Sequence, residues 1–236
     1  MSVEKVYKTL PTGKELLVNV KEGEKFLYPP SYVDAMIEKF SHIINSEEKL
    51  KNKTVIYMVG EHRRGKSVLA KKLRGRIQNS YILSLARPMK LVLESLFPKE
   101  FLVAKSPEVR RLYQSFGEAK RAVTLNYFLT VFVNTLKGDS DTYKYVIVDD
   151  VYHINERILM HLFPNTISVK FDVSDFSKYT MNASDPSYDT SRVSVKELLY
   201  LLQESDYDLK VSPTTKENFR EVMEDTMEKI VDILGS

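Results

Sequence analysis

The sequence predicts an α/β protein: a three-layer α/β/α fold with a mostly parallel central sheet and a phosphate-binding loop, preceded by an N-terminal extension. Two observations carry this. From residue 54 onward, apolar runs rich in β-branched residues alternate with stretches whose apolar residues recur at helical spacing. Such alternation builds parallel sheets covered by helices. The second observation is the octapeptide GEHRRGKS at 60–67, lying between the apolar run TVIYMV and the amphipathic stretch VLAKKLRGRI. In a strand–loop–helix setting the pattern G-x-x-x-x-G-K-[ST] is a phosphate-binding loop.

Residues 1–53 precede the alternation and read as an extension, a hairpin plus helix packed on the main domain, with a partner-binding arm as the other reading. The stretch YPPS at 28–31 breaks the chain. Ser31 is then expected to cap a helix with Val33, Met36, Ile37, Phe40, Ile43 and Ile44 on one face, closed by the polar run NSEEKLKNK. Residues 54–236 form the main domain. Its expected strands are 54–59, 80–85, 143–150, 166–171 and 207–211. Helices are expected after the phosphate loop, from Pro88, from about Pro107 to Leu136, over SVKELLYLLQES and over TKENFREVMEDTMEKIVDIL. Residues 172–192 are polar, rich in Ser, Asp and Tyr, and weakly periodic. A long loop of that kind is a candidate lid over the phosphates, with Lys178 and Arg192 as its basic residues.

Composition narrows the function classes. Hydrophobic residues make up 43% of 236 and charged residues 28%, ordinary values for a globular protein with a sizeable core. There is no cysteine, hence no disulfide frame and no thiolate metal site. No apolar run spans a bilayer and no signal-peptide core opens the chain, so a cytoplasmic protein with no membrane partner is expected. With 35 basic and 32 acidic residues, a net charge of +3 gives no strong nucleic-acid signal; any preference for anions must be local.

That local preference sits in the octapeptide. Gly60 and Gly65 let the backbone turn tightly against phosphate oxygens, and the helix that follows turns its positive end to them. Lys66, expected to stand exposed in an empty site, reaches the β- and γ-phosphates of ATP. Ser67 offers a hydroxyl to Mg2+, while Arg63 and Arg64 add charge. The partner acid is expected at a buried strand end, where YVIVDD supplies Asp149 and Asp150. Asp149 is placed to hold the metal and Asp150 to face an acceptor, though sequence alone leaves open which of the two meets the ion. His153 and His161 bracket a predicted helix, and two histidines without a third ligand make only a weak case for zinc.

Several stretches together resemble the phage deoxynucleoside monophosphate kinases. VDDVYHINE at 148–156 resembles that family's Asp-Val-Arg-Phe-Pro-Asn-Glu signature, and LARPMKLVLESLF at 85–97 its Ala-Asp-Pro-Leu-Lys segment. RRLYQSFGEAKR at 110–121 is similar to its Gln-x-x-Gly stretch with a following arginine, and DYDLKVSPTTKENF at 206–219 to its last strand, loop and helix. The resemblance covers about 54–236. It implies a P-loop kinase fold and transfer of the ATP γ-phosphoryl group, with Mg2+, to a deoxynucleoside monophosphate for DNA precursor synthesis in the host cytoplasm. By it Lys66, Asp149 and Arg121 are the catalytic residues. Arg87, Lys90, Arg111, Gln114, Arg121, Asp150 and Tyr152 fall in segments that form the acceptor pocket. Oligomeric state stays open, a homodimer included. Two positions depart from the family: its signature arginine is Tyr152 here, and its aspartate before proline is Arg87. Either Arg87 replaces the lost charge, or the pocket takes a different or modified base, or the chain is a nucleotide-binding protein without turnover that acts through a partner.

Overall fold

The computed structural model describes residues 2–61, 64–103, 106–139, 142–172, 193–213 and 218–235. Most of the candidate lid, residues 173–192 with Lys178 and Arg192, lies outside them, as does Arg63.

The chain opens with strands β1 (Val3–Thr9), β2 (Glu15–Glu22) and β3 (Lys25–Phe26), paired antiparallel in that order. Helix α1 (Pro30–Ser46) and the short α2 (Glu48–Lys51) follow. The main sheet is built from β4 (Thr54–Val59), β5 (Ser80–Ile82), β6 (Tyr145–Val151), β7 (Asn165–Phe171) and β8 (Leu209–Val211). Their order is β5-β6-β4-β7-β8, and every neighbouring pair is parallel. The helices between are α3 (Lys66–Arg76), α4 (Arg87–Leu96), α5 (Lys99–Val103), α6 (Pro107–Val123), α7 (Tyr127–Gly138), α8 (Ile154–Leu162), α9 (Val193–Gln203) and α10 (Phe219–Gly235).

β4 is the middle strand and all of its residues are buried, so its sequence is a continuous apolar run rather than an alternating one. Alternate side chains still go to opposite faces. Ile56 and Met58 join Ile147, Val169 and Phe171 against Leu69, Ala70 and Leu73 of α3 and Met223 and Ile230 of α10. Val55, Tyr57 and Val59 join Val146 and Val148 on the other face, against α7, α8 and α9. Helices thus flank both faces of a five-stranded parallel sheet, compatible with a three-layer arrangement. A small satellite cluster, Leu93, Leu102 and Val109, joins α4, α5 and α6.

The first strands and α1 belong to the same core as the sheet. Leu16, Leu17, Val18 and Val20 of β2, and Val33, Met36, Phe40 and Ile44 of α1, lie in one buried cluster with Val55, Tyr57, Val146 and Val148. The stripe on α1 is the expected one, but its cap is not. The helix begins at Pro30, with Pro29 as N-cap, and Ser31 is exposed inside the first turn. Proline with its fixed φ and missing N–H is suited to that first position.

Element ends differ from expectation for local reasons. β5 stops at Ile82, three residues early, because the amides of Leu85 and Ala86 turn onto the Asp150 carboxylate at 2.9 and 3.0 Å. The long helix expected over 107–136 is two helices, α6 and α7. Thr124 is extended at the break, and Tyr32 Oη donates to Asn126 Oδ1 at 2.6 Å beside it. Among the described residues no helix is long and apolar enough to cross a membrane.

Because α1 shares the sheet's core, Phe40→Ala should cost about 3–5 kcal/mol of whole-protein stability. Urea unfolding followed by far-UV circular dichroism and by tyrosine fluorescence should show one coincident transition. Two separated transitions would mean that residues 2–53 fold apart from the sheet.

Candidate functional site

The site forms where β4 and β6 end side by side. Tyr57 pairs with Val148 and Val59 with Val151, so Asp149 and Asp150 together stand opposite Met58 alone. This two-for-one bulge sends the two acids to different partners. Asp149 accepts a hydrogen bond from Ser67 Oγ. Asp150 accepts from Ser84 Oγ and from the Leu85 and Ala86 amides, so it ties the carboxyl end of β5 to β6. Burial raises its pKa, while the Ser84 hydroxyl holds it down. The acid next to Ser67 is therefore Asp149, and Asp150 serves first as a clamp on the 84–86 turn.

The loop after β4 needs both of its glycines. A Cβ at Gly60 would stand 2.6 Å from the Cβ of Phe171 on β7. Gly65 has φ +92°, and a Cβ there would meet the Phe219 ring at 2.5 Å. α3 starts at the next residue, so its first amides open on the loop.

Lys66 is buried, not exposed as the sequence suggested. Its Nζ donates to the carbonyls of Gly60 and Glu61 at 2.5 and 2.6 Å and lies 5.0 Å over the Tyr152 ring. With only 5% of its surface accessible, it is an ammonium that gives two of its three donors to its own loop. Burial lowers its pKa to about 8, against the upward pull of Asp149, Asp150 and Glu61. Arg64 is also buried and pairs with Glu61 through Nη2 at 2.6 Å and Nε at 3.1 Å.

Above the sheet edge lies a cavity of about 780 Å³. Its floor holds Glu61, Arg64, Gly65, Lys66, Ser67, Asp149 and Asp150, and α4 contributes Met89 and Lys90. One face of α6, carrying Tyr113, Gln114, Gly117, Glu118 and Arg121, forms the opposite wall. Arg121 donates to Glu156 Oε1 at 3.1 Å and packs over the Phe128 ring. The other Glu156 oxygen accepts the amides of Tyr152 and His153 at 2.9 and 3.1 Å, closing the N-terminus of α8.

Of the residues singled out from sequence, Arg64, Gly65, Lys66, Ser67, Lys90, Gln114, Arg121, Asp149, Asp150 and Tyr152 line this one cavity. Gly60 sits just beneath it and gives its carbonyl to Lys66. Arg87 and Arg111 are exposed and do not line it. Arg87 is the first residue of α4, and its charge acts on Tyr81. Sequence reasoning passed over Glu61, Glu118, Phe128 and Phe219. The i, i+4, i+7 spacing of Gln114, Glu118 and Arg121 was signal enough for Glu118. Phe219 comes from the far end of the chain and carries no such signal.

His153 and His161 go to separate partners. His153 Nδ1 is 3.0 Å from Glu197, and His161 Nε2 is 2.7 Å from Tyr57 Oη. Among the described residues no three His, Asp or Glu side chains gather to hold a metal. Ser67 Oγ and the Asp149 carboxylate are hard oxygen donors already in contact, the type of pair that suits Mg2+ when phosphates supply further ligands. No protein-family model matches the chain, and no curated protein matches its sequence.

The depressed Lys66 pKa has a signed consequence. Below about pH 8 the folded protein bears the full cost of a charged buried ammonium, and that cost fades as pH rises toward the ordinary 10.5. Stability relative to Lys66→Met should therefore rise by about 3 kcal/mol between pH 7.5 and 10.5. Urea titrations of both proteins across that range measure it, and a constant difference would contradict a buried, charged Lys66.

Proposed function

We propose that the chain is an ATP-dependent kinase of the P-loop type that passes the γ-phosphoryl group to a deoxynucleoside monophosphate. One observation carries the reading: Ser67, at the start of α3, is hydrogen-bonded to Asp149, at the end of the neighbouring parallel strand, with Lys66 in the same cavity. Phosphoryl transfer asks a protein mainly for positioning and charge. Lys66 and Arg64 answer the charge of a triphosphate, and the α3 amides donate to its oxygens. Ser67 and Asp149 would hold Mg2+, which when bound neutralises charge between the β- and γ-phosphates.

The rest of the cavity suits a second nucleotide. Apolar and aromatic side chains, Met89, Tyr113, Phe128 and Leu198, face a few polar groups, Gln114, Glu118, Lys90 and Arg121. In this reading Arg121 is assigned to the acceptor phosphate. A second reading is a nucleotide-binding protein that turns over no acceptor; it is favoured by the exposed Arg87 and the uncharged Tyr152.

The test offers purified protein ATP, Mg2+ and each deoxynucleoside monophosphate in turn, modified pyrimidines included, and measures ADP and the diphosphate product. At least one acceptor should be turned over, with a loss of about 100-fold or more in Lys66→Ala and in Asp149→Asn. Tight ATP binding with no acceptor consumed would leave the binding-protein reading. Unchanged ATP binding and turnover in a folded Lys66→Ala protein would remove the site assignment altogether.

A further inference from the structure

The cavity is also lined by a histidine to which phosphate chemistry gives no role. His153, the N-cap residue of α8, lines the cavity, yet only 4% of its surface is accessible. Its Nδ1 lies 3.0 Å from Oε1 of Glu197 on α9. Glu197 is itself buried, and its second oxygen receives the Ile154 amide at 2.8 Å and Tyr28 Oη at 2.7 Å. A carboxylate surrounded by donors accepts from each of them, so the ring proton belongs on Nδ1. In the neutral ring that fixes the tautomer and leaves the lone pair on Nε2. Among the described residues Nε2 has no hydrogen-bond partner, and Glu197, which holds the opposite nitrogen, does not line the cavity.

We infer that His153 is a specificity-determining residue: its Nε2 accepts a hydrogen bond from an O–H or N–H group of the substrate that occupies the cavity. The inference rests on the kinase reading for the identity of that substrate. A phosphomonoester dianion has acceptors only, so on the acceptor nucleotide the donor is the sugar hydroxyl or an N–H of the base. Glu197 is the positioning residue, acting through the ring, and Tyr28 and the Ile154 amide hold Glu197 in turn.

The experiment pairs ligand changes with protein changes. The acceptors are a deoxynucleoside monophosphate that the protein turns over, its 2′,3′-dideoxy analogue, and an analogue with the base N–H methylated. His153→Phe should lower kcat/KM for the parent about ten-fold, through KM. It should leave unaffected the one analogue that lacks the donor, and which analogue that is names the source. Glu197→Gln keeps the shape but can donate to Nδ1 and move the ring proton to Nε2, so it should give the same selective loss. Equal effects on all three acceptors, or none on any, overturn the inference.

Wild-type protein supplies a measurement that needs no variant. With four histidines in the chain, the His153 side-chain ¹⁵N signals are assignable, and saturating acceptor should move Nε2 upfield while Nδ1 stays protonated. Acceptor binding with no Nε2 shift overturns the inference and spares the kinase reading. No acceptor binding at all brings down both.

Discussion

The site depends on one constraint: β4 and β6 are parallel neighbours, and β6 carries one residue more than β4 at their shared carboxyl end. Without the bulge, successive side chains would point to opposite faces and one acid would be lost to the site. With it, both Asp149 and Asp150 line the same cavity yet reach different elements. Asp149 meets the head of α3 through Ser67, and Asp150 gathers the turn after β5. Three strand ends are thereby held in one arrangement by two adjacent carboxylates.

A second layer of buried polar groups supports this edge from behind. Arg157 on α8 is fully buried; it donates from Nε to Tyr57 Oη at 3.0 Å and from Nη2 to Asp206 at 2.8 Å, and lies 4.4 Å over the Tyr207 ring. Since Tyr57 Oη accepts from Arg157, its own proton goes to His161. Burial and the Arg157 charge push His161 down to about 3, so the ring is neutral and its Nε2 accepts. A buried guanidinium is tolerated only when its surroundings are so arranged, and removing one partner is costly. The N-terminal strands and α1 take part through Tyr28, which reaches Glu197, and Tyr32, which reaches Asn126 at the α6–α7 break.

The parallel sheet was legible because β4 is buried on both sides and so reads as an unbroken apolar run between clear turn residues. The phosphate-loop pattern and the acids at 149–150 were legible because local chemistry alone marks them. The ends of β5, α6 and α7 were not, since each is set by a partner distant in sequence: Asp150 for the first, Tyr32 for the other two. Lys66 was misjudged for a related reason. Its residue type suggests an exposed cation, but its exposure depends on the Gly60 and Glu61 carbonyls and on a tyrosine ring from β6's far end. The fate of Arg87 was equally invisible, because a residue's position within a motif does not say which way a helix's first turn faces.

The docking of Lys66 on its own loop changes what binding there must involve. An anion approaching this ammonium finds two of its three donors already given to carbonyl oxygens. Association is then an exchange, in which the newcomer must surpass the interactions it displaces. A small monovalent anion offers little more than the carbonyls do, whereas a group with several adjacent charges offers much more. The arrangement thus favours groups of high charge density, to a degree set by backbone geometry.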